Sequence, residues 1–225
     1  MRHGLLLALV AAALLWPPAV LGDQWQRLMD GAMQSHQLGN TASVERKLEA
    51  ALALAEDFAP DDPRLAKTLF ALALIHYERF DDARAEPLLT RALAAGERAS
   101  GPDRPDLAPI VNALALVHTR LGRYESAEAE FKRTLALLEA KLGPEHLQVG
   151  RVLENLAGVY ASLGRYGETE PLYQRTLAIL EAKLGPRHVD VANLLEFYAT
   201  AVLMLDRKAE AEALLARARA IRGED

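Results

Sequence analysis

The chain has 225 residues, of which 51% are hydrophobic and only 6% aromatic, and its formal net charge is −5. Such a chain is long enough to form a continuous core, and its alanine and leucine content favours an all-α fold. The mild acidity argues against nucleic acid as a partner, and the absence of cysteine excludes disulfides, thiolate nucleophiles and cysteine-ligated metals.

The N-terminal residues have the pattern of an export signal. Arg2 supplies positive charge, residues 5–15 form an uninterrupted apolar run, and a pair of prolines follows that run. Gly22 then provides a small residue in front of a cleavage site. The sequence predicts cleavage after Gly22 and a mature chain that begins at Asp23.

This reading divides the chain into a signal peptide at 1–22 and one repeat domain at 23–225. The alternative is a retained membrane anchor, but the apolar run is shorter than the roughly 20 residues that span a bilayer. No cysteine follows the run, which excludes a lipoprotein anchor. We therefore expect an exported protein, periplasmic or extracellular, with no stable membrane span after cleavage.

A period of 42 residues governs the rest of the chain. Leu-Gly-Arg-Tyr at 121–124 recurs at 163–166, and Lys-Leu-Gly-Pro at 141–144 recurs at 183–186. Shifts by the same interval locate further copies, the first of which is the weakest and lacks one residue. Five repeats are predicted, at about residues 25–62, 65–104, 107–146, 149–188 and 191–222.

Each repeat is predicted to form two helices. In the fourth repeat the apolar residues between Val152 and Leu163 follow helical spacing, and Gly164 ends that helix. A second amphipathic stretch ends at Gly185, and Pro171 is placed in its first turn, where a missing N–H loses no hydrogen bond. Because one hairpin cannot bury both apolar faces, the hairpins must stack into an α-α superhelix of about five helix hairpins.

This pattern resembles the tetratricopeptide repeat (TPR), and its 42-residue form is similar to the repeats of kinesin light chain. The resemblance is carried by 156–157, Tyr160, 163–166 and 170–173. It implies a TPR solenoid, a class of protein-interaction scaffold whose first helices line a concave groove for peptides or helices. Fold-level likeness gives a mode of binding and leaves the partner open.

Two turns depart from the repeat pattern. Phe80 stands in the turn-glycine position of the second repeat, and Asp206 stands in that of the fifth. Because residues with a Cβ atom disfavour left-handed backbone, we expect these two turns to differ in shape from the others.

If the first helices face a groove as the resemblance implies, eleven positions become candidates for peptide binding. They are Lys67, Phe70, Leu74, Tyr77, Asn112, Leu116, Arg120, Arg151, Glu154, Asn193 and Glu196. Aromatic anchors with amides and arginines nearby suit a peptide groove, because apolar pockets supply affinity and polar groups satisfy the peptide main chain. The simpler alternative is that these are ordinary half-exposed helix positions.

Catalytic motifs are missing from the repeats: there is no His-Glu-x-x-His helix, calcium loop, phosphate-binding glycine loop or nucleophile elbow. His76 and His118 take the core position that Tyr160 takes in the next repeat, and His146 and His188 are predicted to help the following helix begin.

The sequence thus predicts a non-enzymatic scaffold or adaptor that binds a protein or peptide, with no cofactor and no metal. Two alternatives stay open. One is a structural protein that self-associates through its end repeats, and the other is a metal-dependent enzyme built on His76 and His118.

Overall fold

The structure is a computed structural model that describes residues 18–223. The apolar run of the predicted signal peptide lies outside the described residues. The described part of that peptide, from Pro18 to Gly22, forms the beginning of the first helix.

Residues 18–223 form ten α-helices and one short 3-10 helix, and this part of the chain contains no strand, which confirms the all-α fold class. The helices are α1 (Pro18–Gln37), α2 (Thr41–Ala55), α3 (Pro63–Glu78), α4 (Asp82–Ser100), α5 (Ala108–Arg120), α6 (Tyr124–Leu142), α7 (Leu147–Ser162), α8 (Tyr166–Leu184), α9 (Val189–Met204) and α10 (Lys208–Arg222), with the 3-10 helix at Pro105–Leu107 before α5.

The helices belong to two compact halves. The N-terminal half ends at Gly101 and holds α1 to α4, and the C-terminal half begins at Pro102 and holds the remaining helices. Within each half consecutive helices pack as hairpins, and the second helix of a hairpin also packs on the first helix of the next. Each helix inside a stack thereby packs against a neighbouring helix on two sides, as expected for stacked repeats.

Small and branched aliphatic side chains fill the core of the C-terminal half. Phe131 of α6 is fully buried, and Val191, Leu194 and Leu195 of α9 pack with Ala157 of α7. Alanine at the helix contacts allows close approach of the helix axes, and each large side chain fills the space beside it.

The core of the N-terminal half is anchored by Trp25 of α1. Its indole packs with Ala51 and Ala55 of α2, and its Nε1 donates a hydrogen bond of 2.8 Å to Thr68 Oγ1 on α3. A buried tryptophan needs a partner for its N–H, so this bond ties the first hairpin to the second.

The two turns without glycine keep the shape of the other turns, so the expectation of a different shape is wrong. Phe80 (φ 60°) and Asp206 (φ 58°) adopt the left-handed backbone of Gly122 (φ 72°). The N–H of the residue after Phe80, Asp81, donates to the carbonyl of His76 at 2.9 Å, as in the glycine turns. Packing of both helices fixes the turn, and the residue in it accepts the local strain.

The prediction that Pro171 lies in the first turn of its helix is also wrong. Pro87 and Pro171 are each the sixth residue of their helix, because α4 begins at Asp82 and α8 at Tyr166. Only the first four N–H groups of a helix lack an intrahelical acceptor. Each proline therefore leaves the carbonyl four residues earlier without an intrahelical hydrogen bond.

The prediction that His146 and His188 help the next helix begin is confirmed. Nδ1 of His146 accepts the backbone N–H of Gln148 at 3.2 Å, and Nδ1 of His188 accepts that of Asp190 at 3.1 Å. Each imidazole is the N-cap of its helix, a role that more often falls to Asp, Asn, Ser or Thr.

None of the helices within residues 18–223 combines the length and the hydropathy needed to cross a membrane.

Candidate functional site

Two pockets of the C-terminal half lie side by side along α7. The first has a volume of about 310 Å³ and is bounded by α5, α6 and α7. Its polar lining consists of Asn112, Gln148, Arg151 and Asn155, with Thr134 at its base. The remainder of the lining is apolar.

The second pocket also measures about 310 Å³ and is bounded by the first helices α5, α7 and α9, with one residue each from α6 and α8. Its lining comprises Leu116, Thr119, Phe131, Glu154, Asn155, Gly158, Ser162, Tyr173 and Phe197. Asn155 lines both pockets, so the two lie next to each other along α7.

Four of the predicted groove residues are brought together on this surface. Asn112 and Arg151 line the first pocket, and Leu116 and Glu154 line the second. Arg120, at the exposed end of α5, does not line either pocket.

The last two predicted residues of this half, Asn193 and Glu196, already bind another side chain of the protein. Arg222 of α10 forms an ion pair with both carboxylate oxygens of Glu196, and its Nη2 donates to Asn193 Oδ1 at 2.8 Å. These side chains therefore fix the last hairpin, and the Glu196 carboxylate and Asn193 Oδ1 already have a partner.

In the N-terminal half the predicted residues do not assemble in the same way. A cleft of about 240 Å³ lies between α1, α2 and α3, and Leu74 is the predicted residue that lines it. Lys67 is exposed, and Phe70 and Tyr77 are half-buried outside this cleft. The predicted aromatic patch therefore does not form the wall of this cleft.

The cleft of the N-terminal half is mainly apolar. Met29 and Met33 of α1 face Val44, Leu48 and Ile75 across it. Met33 leaves 67% of its surface exposed. Methionine adapts to irregular apolar partners because its side chain is unbranched and polarisable.

The electrostatics of the second pocket centre on Glu154. Burial raises the pKa of Glu154 above its ordinary value of 4.5, the charge of Asp190 adds to this, and the charge of Arg151 opposes it. Burial and the charge of Glu154 together raise the pKa of Tyr173 to about 12. In the described part of the chain no cation forms an ion pair with Glu154.

In the first pocket the notable polar group is the amide of Asn112. Its Oδ1 is buried and has no hydrogen-bond partner among the described residues. A buried acceptor without a donor costs free energy, so the Asn112 amide is a destabilising polar group in the wall of this pocket.

The pocket residues that the sequence analysis did not select include Asn155, Gly158 and Phe197. Asn155 and Phe197 each follow a predicted groove residue by one position, outside the single line of positions assumed for each helix. The available signals were a glycine in the middle of α7 and a phenylalanine that is 54% exposed on α9. Glycine is disfavoured inside a helix, so Gly158 was the stronger of these two signals.

The histidines of the metal hypothesis each lie beside acids. His76 is 5% exposed, with ring nitrogens 3.6 Å from Asp81 and 3.9 Å from Glu45, and Nδ1 of His118 is 2.9 Å from Glu130. Within the described ranges no group of three or more His, Asp or Glu side chains is placed to hold a metal ion.

Ion pairs at the repeat spacing connect successive hairpins. Glu128 of α6 binds Arg165 at 2.6 Å, and 42 residues later Glu170 of α8 binds Arg207 at 2.7 Å. The carboxylate of Glu128 also accepts from Lys132 and Tyr160, which lowers its pKa to about 2.

A second series follows the same interval. Glu139 pairs with Arg175 at 2.6 Å, and Glu181 pairs with Arg217. In both series the acid lies in one repeat and the arginine in the next.

Helical hairpins stacked at a fixed repeat, with inter-repeat ion pairs and pockets along the first helices, define a helical-repeat interaction scaffold. The family model for the tetratricopeptide repeat matches residues 73–140, 106–181 and 148–224. The chain belongs to the tetratricopeptide repeat family.

Solved structures agree with this assignment. BtubC (BKLC) from P. vanneervenii is 22% identical, with a TM-score of 0.79 over 92% of this chain and 82% of its own. A kinesin light chain from Podosopora anserina with nearly identical TPR-like repeats is 22% identical, with a TM-score of 0.74 over 92% and 97%. MamA from Desulfovibrio magneticus RS-1 is 14% identical, with a TM-score of 0.70 over 91% and 99%.

The predicted resemblance to TPR repeats of the kinesin light chain type is confirmed, and at these identities the likenesses show the fold alone. Comparison with curated protein sequences gives no match.

Proposed function

We propose that the protein is a non-enzymatic scaffold that holds an extended segment of a partner protein along α7, in the two pockets of the C-terminal half. The observation that carries this proposal is that the pockets are adjacent: two pockets of about 310 Å³ each share Asn155. Their mixed lining suits a peptide, because apolar side chains supply contact area and amides satisfy the main chain.

The geometry also favours binding over chemistry at this surface. The pockets contain one acid, Glu154, and one base, Arg151, which lie on the same helix without an ion pair between them. General acid–base or nucleophilic catalysis needs groups within hydrogen-bond reach of each other or of a shared reacting atom. These two side chains are better suited to orienting a bound segment.

The test fills the second pocket while leaving the fold intact. Gly158 lies on α7, is exposed, and a Cβ atom built on it meets no atom within 4 Å. Gly158→Leu therefore places a bulky side chain in the pocket. It also stabilises the helix by about 0.5–1 kcal/mol, because leucine has a higher helix propensity than glycine. We expect this variant to retain its stability and to lose capture of the partner from an extract of the source cells.

Gly167→Leu is the matched control. Gly167 lies on α8, is exposed, has open space around the same added Cβ atom, and does not line either pocket. Mass spectrometry identifies the proteins that each variant captures. The partner is expected among the proteins that wild type and Gly167→Leu retain and that Gly158→Leu loses. Equal capture by both variants would contradict the proposal.

The proposal extends to location: the protein acts in the cell envelope after export. The support is the export pattern around the apolar run at 5–15. N-terminal sequencing of protein recovered from cell fractions tests this. We expect a chain that starts at Asp23 in the periplasmic or extracellular fraction, and an uncleaved chain in the cytosolic fraction would contradict it.

Self-association is the second candidate, and an exposed apolar run at the end of α9 favours it. Leu203, Met204 and Leu205 are all exposed there. Sedimentation at several concentrations tests this candidate. A strict monomer counts against it and leaves the scaffold proposal in place.

A further inference from the structure

One register position of the first helices carries a hydrogen-bond acceptor in three successive repeats. The position is Asn112 in α5, Glu154 in α7 and Glu196 in α9, each 42 residues from the next. Side chains at equivalent positions of stacked repeats point to the same side of the stack. Their surroundings can therefore be compared directly.

The last of the three acceptors already holds a cation. Glu196 binds the guanidinium of Arg222 through both carboxylate oxygens, and Asn193 accepts a further hydrogen bond from it. The fork of donors on arginine matches the two oxygens of a carboxylate. In the last repeat, the acid at this register position therefore binds a guanidinium group.

The equivalent acid one repeat earlier has no such partner. Glu154 is half-buried in the second pocket, and no described residue forms an ion pair with it. The nearest charges named for it are Arg151 and Asp190, which act in opposite directions. A half-buried carboxylate without a cation is costly, and a cationic ligand would remove that cost.

The walls of the second pocket suit the flat, weakly hydrated face of a guanidinium. Phe197 of α9 leaves 54% of its surface exposed beside the pocket, and Tyr173 lies within the lining. Cations bind favourably over aromatic faces. The chain already does this elsewhere, since the guanidinium of Arg165 lies 4.3 Å from the ring centroid of Tyr160.

We infer that the second pocket is a recognition site for an arginine side chain of the bound segment, whose guanidinium pairs with Glu154 against the ring of Phe197. The inference rests on the proposed function and names the chemistry of its partner. It is limited to the second pocket, because the positive charge of Arg151 in the first opposes another cation there.

The test uses three capped heptapeptides, Ser-Gly-Leu-Xaa-Leu-Gly-Ser, in which Xaa is arginine, citrulline or glutamate. Citrulline keeps the shape of arginine without its charge. Binding is followed by the amide NMR shifts of Glu154 and Gly158 in the full chain. We expect the arginine peptide to bind about tenfold more tightly than the citrulline peptide.

Glu154→Gln is the deciding variant, and it should reduce the arginine-to-citrulline preference to less than about twofold. Glu196→Gln is its matched control, because that acid has the same register and is already neutralised by Arg222. The control should keep the full preference. Thermal melting checks both variants, and Glu154→Gln should melt no lower than wild type because it removes an unpaired carboxylate.

Three outcomes overturn the inference. The first is equal binding of all three peptides, which leaves the scaffold proposal intact. The second is an unchanged preference in Glu154→Gln or a preference for glutamate. The third is no binding of any peptide at millimolar concentration, and capture by the Gly158→Leu variant then decides the proposed function separately.

Discussion

The two halves of the molecule share one scaffold and differ in what they present on their first helices. The N-terminal half presents an apolar cleft with Met29, Met33 and Leu74. The C-terminal half presents two more polar pockets with Asn112, Glu154 and Asn155 among their lining residues. The hairpin packing is the same in both, so the difference lies in the side chains at a few surface positions.

This comparison indicates how the repeat separates stability from recognition. Core positions repeat with apolar residues because every hairpin must bury the same faces. First-helix positions that face a cleft are free of that constraint and can vary between repeats. The two halves therefore present surfaces of different chemistry, an apolar cleft in one and more polar pockets in the other.

The largest expected effect comes from the core position shared by both halves. Phe131 in α6 and Leu89 in α4 are 42 residues apart, and both are fully buried. We expect Phe131→Ala to cost about 3–5 kcal/mol of unfolding free energy and Leu89→Ala about 2–4 kcal/mol, because each leaves a cavity. Chemical denaturation measures both, and a smaller cost for Phe131→Ala would show that the two cores are not equivalent.

The next largest effect is a loss of unfolding free energy at low pH. The cations and hydroxyl around Glu128 hold its folded-state pKa at about 2, below its ordinary value of 4.5. The resulting stability is present above pH 4.5 and is lost as pH falls towards 2. After allowance for the partial exposure of its partners, we expect a loss of about 2 kcal/mol over that range.

Glu128→Gln tests this in the C-terminal half, and its unfolding free energy should change less with acid than that of wild type. The matched control is Glu45→Gln in the N-terminal half, where Glu45 pairs with Arg79 without a tyrosine donor. That variant should retain the wild-type response of the C-terminal half. If the unfolding free energies of the two variants fell equally with acid, the loss of stability could not be assigned to Glu128.

The smallest effect is at the two turns, one in each half. Phe80 and Asp206 hold left-handed backbone that glycine adopts freely. We expect Phe80→Gly to raise the unfolding free energy by about 0.5–1 kcal/mol, and Asp206→Gly by less, because aspartate tolerates this conformation better. Destabilisation by either substitution, measured by denaturant melts, would show that the side chain stabilises the turn.

Much of the fold could be predicted from the sequence, because the same pattern of core residues recurs in each 42-residue repeat. The turns at Phe80 and Asp206 were mispredicted because the preference of a single residue was weighed above the packing of two helices. Pro171 was mispredicted because helix starts depend on the turn geometry that precedes them, and Gly-Arg-Tyr begins its helix at Tyr166.

The candidate site was less predictable. Asn112, Leu116, Arg151 and Glu154 were predicted from the TPR resemblance together with helical register, and the structure places them in the two pockets. The ion pair between Arg222 and Glu196 depends on how the last hairpin packs, which no local pattern encodes. The pockets also include Asn155 and Phe197, each one position after a predicted residue. Whether that next position faces the pocket depends on how far each repeat is rotated relative to the one before it.

The ion pairs at the repeat spacing also bear on how such a chain changes length. Each acid, such as Glu128 or Glu139, lies in one repeat and its arginine lies in the next. A duplicated segment of 42 residues therefore brings with it both the arginines for its predecessor and the acids for its successor. Gene duplication can lengthen the array without new complementary mutations, and every added repeat brings one more first helix whose surface is open to selection for a new ligand.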